Sequence, residues 1–62
     1  MMIELKTIRL LRGFTQEYLA QLTNITQEEI CRYEKGLVIP NFKNMAKIAE
    51  ALSCGIDTIW RD

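Results

Sequence analysis

The sequence contains no histidine, only two cysteines, one proline and three glycines, and its formal net charge is zero. Without histidine, and with Cys31 and Cys54 far apart and outside any CxxC pair, a structural zinc site is excluded. Neither cysteine has a histidine to activate it, and no glycine-rich phosphate loop is present, so the sequence argues against an enzyme. We therefore expect no metal, no cofactor, no catalytic residue and no small-molecule ligand.

Long apolar runs are also missing. The segment from Met1 to Leu11 already carries Glu4, Lys6 and Arg9, so it lacks the apolar core of a signal peptide or membrane span. Two free thiols in a helical sequence suit a reducing compartment. We expect a cytoplasmic protein without membrane contact, and a single domain over residues 1–62. A domain of this size buries only about 60% of the surface that its unfolded chain exposes.

The spacing of apolar residues is helical nearly throughout, and glycine and proline fall between the periodic segments. The pattern predicts an all-α, compact five-helix bundle, with helices at about 3–12, 16–22, 26–34, 41–52 and 56–60. Gly13, Asn24 and Gly36 suit the left-handed conformation that ends a helix, and a break is expected at Cys54-Gly55. The side chains expected to face inward are Leu5, Ile8, Leu11, Leu19, Ala20, either Leu22 or Thr23, Ile30, Tyr33, Phe42, Met45, Ile48, Ala49 and Leu52.

Three polar residues are suited to begin helices, namely Thr15, Thr26 and Asn41. The residues from Thr26 to Glu29 spell a capping box, in which the threonine hydroxyl accepts from the Glu29 amide and the Glu29 carboxylate reaches back to the Thr26 amide. Glu29 is therefore explained as a structural residue. Glu28 fits either this helix-stabilising role or a role in binding, because acidic groups in a first turn favour the helix dipole.

The segment from Thr15 to Gly36 consists of two predicted helices joined by a short turn, which is the arrangement of a helix-turn-helix. A helix is about 10–12 Å wide with its side chains, so it fits the major groove of DNA while the preceding helix supports it. Polar side chains that can reach base edges lie on the outer face of the second of these helices: Gln27, Glu28, Cys31 and Arg32.

Charge is weakly sorted along the chain. The segment 5–47 carries a net charge of +3, and the remaining residues carry −3. This distribution favours contact between the positive segment and a polyanion, although an ordinary solvated surface explains the charges equally well.

Residues 13–20, GFTQEYLA, resemble the GLTQEELA segment of Cro-type phage repressors, which belong to the XRE (xenobiotic-response-element-like) helix-turn-helix family. The resemblance covers about residues 5–60 and implies a DNA-binding domain of the lambda-repressor-like fold. Other residues that fall at the family's spacing without a gap are Ile25-Thr26, Ile30, Arg32 to Gly36, Pro40, Lys47 to Leu52, Asp57 and Ile59-Trp60.

The resemblance also implies roles for individual residues on double-stranded DNA. Gln27 and Glu28, with Arg32 one turn later and Cys31 beside them, would read bases. Arg9 and Glu34 would form a partly buried ion pair between helices, unless Arg9 is merely solvated. Contacts to the DNA backbone are expected from Thr15, Gln16, Lys35, Asn41, Lys43 and Asn44.

One departure from the family lies after Gly36, where Leu37, Val38 and Ile39 replace the usual basic or polar residues. Fewer basic residues predict weak non-specific binding to DNA, and exposed apolar clusters tend to mark contact surfaces. We expect a homodimer, because two reading helices about 34 Å apart fit a palindromic operator. The residues suggested for its interface are Ile39, Ile56, Ile59 and Trp60.

Two functions therefore follow from the sequence. The first is a sequence-specific DNA-binding transcriptional regulator, more commonly a repressor for a lone domain. The alternative is a protein-interaction module, of antitoxin or anti-repressor type, that keeps the fold without binding DNA. A domain that had lost DNA binding would be expected to have zero net charge and acidic residues such as Glu28 and Glu29.

Overall fold

Five short helices and one small sheet form the regular structure in the computed structural model, which describes all residues from 1 to 62. The predicted all-α bundle is therefore confirmed, with a two-stranded sheet added to it. In chain order the elements are β1 (Met2–Ile3), α1 (Leu5–Leu11), α2 (Gln16–Thr23), α3 (Gln27–Glu34), α4 (Phe42–Ala51), α5 (Ile56–Ile59) and β2 (Trp60–Arg61).

The first four helices all end with the same local structure. A residue with positive φ follows each helix, and the next amide donates to the carbonyl five residues back, which satisfies carbonyls that the helix leaves free. The predicted helix ends at Gly13, Asn24 and Gly36 are confirmed. The fourth left-handed residue is Ser53, whereas Gly55 is extended with φ −84°, so the expected break begins one residue before Cys54.

Side chains also satisfy amides at three of the helix starts. The oxygens of Thr15, Thr26 and Asn41 accept from the amides three residues later, at 2.9, 3.2 and 2.8 Å. These caps agree with the sequence. The second half of the predicted capping box is replaced, because the Glu29 carboxylate accepts from Arg32 Nη1 at 3.1 Å.

The core joins residues from all five helices and from both ends of the chain. Two inward predictions are wrong, since Leu11 is 73% exposed and Phe42 is 75% exposed. Both stand at helix ends, where the apolar stripe extends past the elements that cover it. Thr23 rather than Leu22 is buried, and its hydroxyl donates to the Leu19 carbonyl at 2.8 Å. The buried apolar residues are Leu5, Ile8, Leu19, Ile25, Ile30, Tyr33, Ile48, Ala49, Leu52, Ile59 and Trp60.

The two ends of the chain are tied together by the sheet. Strands β1 and β2 pair antiparallel, with Met2 opposite Arg61 and Ile3 opposite Trp60, and the Glu4 amide donates to the carbonyl of Ile59 at 2.7 Å. Ile3 therefore lies in a strand rather than in the first helix. None of the helices has the length and apolar character that crossing a bilayer requires.

Candidate nucleic-acid interface

The α2–α3 pair has the shape of a helix-turn-helix. Three residues separate the helices, of which Asn24 takes the left-handed conformation (φ 57°) and Ile25 inserts its side chain into the core. Leu19 of α2 and Ile30 of α3 are both fully buried. The apolar contacts on one side of α3 therefore turn its polar side outward.

A buried carboxylate fixes the C-terminal end of α3 to the rest of the domain. Glu34 accepts from Arg9 Nε at 2.6 Å and from Arg9 Nη2 at 3.3 Å, and the side chains are only 8% (Arg9) and 4% (Glu34) exposed. Arg9 Nη1 donates to the carbonyl of Phe14 at 2.7 Å. One guanidinium thus links α1, the loop that follows it, and α3. The alternative of a solvated Arg9 is ruled out in this structure.

Gln16, the first residue of α2, belongs to the same cluster. Its Nε2 donates to Glu34 Oε1 at 3.0 Å, so the start of α2 is held against the end of α3. An amide nitrogen of this kind carries two hydrogens, and only one of them is used in this bond. The residue that the family resemblance assigns to a phosphate thus also sets the relative position of the two helices.

The outer side of α3 borders a shallow, open depression that extends to the start of α2. The side chains predicted to read bases lie together there, beside two of the predicted backbone contacts. A second depression adjoins it at the start of α2, where Thr15, Gln16 and Gln27 meet. The residues that line the first depression are Gln16, Gln27, Glu28, Cys31, Arg32, Lys35 and Leu37.

Arg32 is not free on this surface. Its Nη2 lies 3.3 Å from Glu28 Oε1, one turn earlier, and its Nη1 lies 3.1 Å from Glu29 Oε1. These pairs are exposed to solvent, with the Arg32 side chain 47% exposed and that of Glu28 77% exposed. The one arginine of the reading face therefore has its charge balanced by two carboxylates of the same helix.

The start of α4 places a further set of polar groups near α3. Asn41 caps this helix and Lys43 is exposed. Asn44 is half-buried, and its Nδ2 donates to the hydroxyl of Tyr33 at 3.1 Å. Asn44 thus also connects α4 to the buried face of α3, a structural role beside the predicted phosphate contact.

Two of the suggested dimer residues need correction. Ile59 is fully buried in the core of its own chain and Trp60 nearly so, because the sheet draws the end of the chain inward. Neither side chain offers a surface to a second copy. Ile56 is half-buried and Ile39 is exposed, next to the exposed Leu37-Val38.

Sequence reasoning missed a structural role for Arg12. Its Nε donates to the Leu52 carbonyl at 2.7 Å, where a cation suits the C-terminal end of α4. A basic residue one position before a helix-ending glycine was the signal in the sequence for Arg12.

Burial raises the pKa of the Cys54 thiol, an effect that Arg12 opposes and Asp57 reinforces. No group of three histidine, cysteine, aspartate or glutamate side chains is arranged to hold a metal ion.

The family comparison agrees with this geometry. A family model described as helix-turn-helix matches residues 5–59, which spans α1 to α5. No curated relative matches the sequence. Because the match covers most of the chain, including the two helices and the turn described above, the chain belongs to the XRE-type helix-turn-helix family of DNA-binding transcription regulators.

Proposed function

We propose that the protein is a sequence-specific transcriptional repressor that binds a palindromic operator as a homodimer and reads the major groove with α3. The observation that carries this proposal is the convergence of the predicted reading residues on one open surface with the start of α2. A repressor needs no further domain to act, because a protein seated on an operator blocks polymerase by its presence.

Each side chain on the reading face has a chemical preference among bases. Gln27 can pair with adenine through two hydrogen bonds, and Arg32 can do the same with guanine. Glu28 can accept from the amino group of cytosine. Cys31, half-buried between them, is small enough to let the helix approach the base edges closely.

The DNA backbone would be held on both sides of α3. The amides at the starts of α2 and α4 favour anions, and Thr15 and Asn41 stand at those two starts. Lys35 and Lys43 add positive charge, and Gln16 and Asn44 each keep a side-chain hydrogen that their internal bond leaves unused. These contacts orient α3 without selecting a sequence.

The dimer interface that we propose contains Ile39, the adjacent Val38 and Ile56, whereas Leu37 lines the reading depression. Val38 and Ile39 are exposed in the single chain, although they are large and apolar. Burial against a second copy would remove them from water. Sedimentation at tens of micromolar tests this, and a monomer both free and on DNA would contradict it.

Selection from a pool of random duplexes tests the proposed function directly. We expect enrichment of an inverted repeat whose half-sites lie about one helical turn, 34 Å, apart. No enriched sequence, even in dilute buffer, would overturn the proposal. A repressor of this kind would act in the cytoplasm on the nucleoid.

A protein-interaction module remains a second candidate, favoured by the two carboxylates around Arg32 and by the exposed apolar connector. The salt dependence of duplex binding separates the two functions. Several phosphate contacts per dimer make affinity fall steeply as salt rises, with a log–log slope of about −0.9 per contact. An interaction module would show no measurable duplex binding at low salt.

A further inference from the structure

We propose, on the basis of the DNA-reading role proposed above for α3, that Glu28 and Arg32 act as one reading pair. In this pair Glu28 rejects wrong sequences rather than adding affinity. It restricts binding to half-sites that present an amino group of cytosine or adenine beside the guanine that Arg32 contacts.

The geometry of the pair supports this assignment. Glu28 and Arg32 are one turn apart on the outer side of α3, and Glu28 Oε1 lies 3.3 Å from Arg32 Nη2. Both line the depression that also contains Gln27 and Lys35. A base edge that meets the guanidinium therefore lies next to the carboxylate.

The chemistry of a carboxylate makes Glu28 selective. An ionised carboxylate only accepts hydrogen bonds. In the major groove cytosine and adenine present an amino donor, whereas guanine presents only acceptors and thymine an acceptor and a methyl group. Each base pair therefore has a donor on one strand only, and Glu28 selects which strand presents it. Against guanine or thymine, Glu28 loses its water and gains no donor, which is unfavourable. The same residue thus discriminates between bases without needing to bind any of them tightly.

The pair also lowers binding to DNA of any sequence. Non-specific binding depends on cations that neutralise phosphates. Arg32 already faces two carboxylates, Glu28 and Glu29, so this part of the surface offers little positive charge to a random duplex. On the correct site Arg32 donates two hydrogen bonds to guanine, and Glu28 accepts one from an amino group. These bonds compensate for the loss of the ion pair between Arg32 and Glu28.

The pair is weak enough to open. Arg32 is about half exposed and Glu28 more so, and exposed ion pairs of this kind change an equilibrium constant about fivefold at most. Discrimination by one good pairing between a side chain and a base spans about five- to over a hundredfold. Arg32 also leaves Glu29 when it turns to a base, and each of these two exposed contacts costs no more than one good pairing with a base gains.

The experiment compares Glu28→Gln with a charge-matched control, Glu50→Gln. Glutamine keeps the shape of the side chain but both donates and accepts, so it tolerates every base. Glu50 is exposed on α4, among residues that line a separate depression, so its variant changes the net charge equally without touching the pair. The two probes are the duplex that the wild-type protein enriches from a random pool and a scrambled duplex of equal length.

We expect Glu28→Gln to bind the scrambled duplex about tenfold more tightly, with a smaller change on the enriched duplex. Selection from a random duplex pool with the Glu28→Gln variant should no longer show a preference for cytosine or adenine at one position of each half-site. Glu50→Gln should leave the ratio of the two affinities unchanged. Circular dichroism of each variant establishes that the fold is retained.

Two results would overturn the inference. One is an unchanged affinity ratio and base preference in Glu28→Gln, and the other is an equal effect of Glu50→Gln. Both leave the wild-type preference for its operator intact, so the proposed function survives them. A wild-type protein that enriches no duplex removes the proposed function and this inference together, so the two failures are distinguishable.

Discussion

Helix α3 takes part in three arginine–glutamate ion pairs, and two of them have the same chemistry and opposite surroundings. Arg9 and Glu34 meet inside the domain with side chains 8% and 4% exposed, whereas Arg32 and Glu28 meet in solvent at 47% and 77%. A buried pair has no water to replace a lost partner, but an exposed pair does. The inner contact therefore fixes the position of α3, and the outer contact is available for exchange with DNA.

The largest predicted effect comes from breaking the inner contact. Glu34→Ala should lower the free energy of unfolding by about 3–5 kcal/mol, because it leaves the Arg9 charge buried without a partner. A domain of 62 residues is stable by only about 3–9 kcal/mol, at about 0.05–0.15 kcal/mol per residue, so this loss removes much of its stability. Urea denaturation followed by circular dichroism measures the loss.

The matched control replaces both members of this pair by apolar side chains. Arg9→Met combined with Glu34→Leu should recover part of the stability, because no charge is left buried without a partner. The recovery is incomplete, since the Phe14 carbonyl and the Gln16 amide lose the partners that Arg9 and Glu34 supply. A loss below about 1 kcal/mol in Glu34→Ala would contradict the structural importance that we assign to the inner contact.

Local signals explain why much of the fold could be predicted. Gly13, Asn24 and Gly36 take the left-handed conformation that their small or amide side chains favour, and Thr15 and Thr26 cap the helices that follow them. Ser53 adopts the same conformation with φ 56°, although serine carries no comparable preference. The amides of Ser53 and Cys54 donate to the carbonyls of Glu50 and Ala49, so backbone bonds that close α4 accompany this conformation.

Contacts between distant parts of the chain were harder to predict from the sequence. Pairing of Met2 with Arg61 joins opposite ends of the sequence, and neither two-residue strand has a recognisable pattern. This sheet is what buries Trp60 and removes it from the proposed dimer surface. The bond between Glu28 and Arg32, in contrast, follows from an i, i+4 spacing that the sequence displays, so that signal was available.

Removing the outer arginine should affect binding and not folding. Arg32→Ala should weaken binding to the enriched duplex by about 1–3 kcal/mol and relax the base preference at one position. Its free energy of unfolding should change by less than about 0.5 kcal/mol, because the guanidinium is exposed. Fluorescence anisotropy titration measures the binding loss.

A second variant serves as the comparison for Arg32→Ala. Lys43→Ala should weaken binding to all sequences alike, since Lys43 is proposed to contact a phosphate. Affinity and base preference that are both untouched in Arg32→Ala would refute the reading role of Arg32.

A Gln16 variant tests whether α2 depends on the inner contact between Arg9 and Glu34. Gln16→Ala removes the hydrogen bond from Nε2 to the Glu34 carboxylate and should cost about 1.5 kcal/mol of folding stability. Binding to every duplex should also weaken, because the start of α2 loses its hold on the end of α3. A variant with normal stability and weakened binding would assign Gln16 to phosphate contact alone.

The N-terminal cap of α3 lies at the opposite end of the helix from Glu34. Thr26→Ala should lower the free energy of unfolding by about 1 kcal/mol, because the Glu29 amide loses its acceptor. Thr26→Ser retains the hydroxyl and serves as the control. Equal losses in the two variants would show that the methyl group, and not the cap, accounts for the effect.

The smallest predicted change in stability belongs to Glu28→Gln, which alters only the exposed contact. Glu28→Gln removes one exposed ion pair and one favourable charge near the start of α3, and together these should cost only about 0.5 kcal/mol. Binding to a scrambled duplex should nevertheless strengthen about tenfold, because a carboxylate leaves the reading face. Urea denaturation and anisotropy on the same preparation measure both quantities. A loss of stability near that of Glu34→Ala would mean that the outer contact also supports the fold, and the division between a fixed and an exchangeable pair would fail.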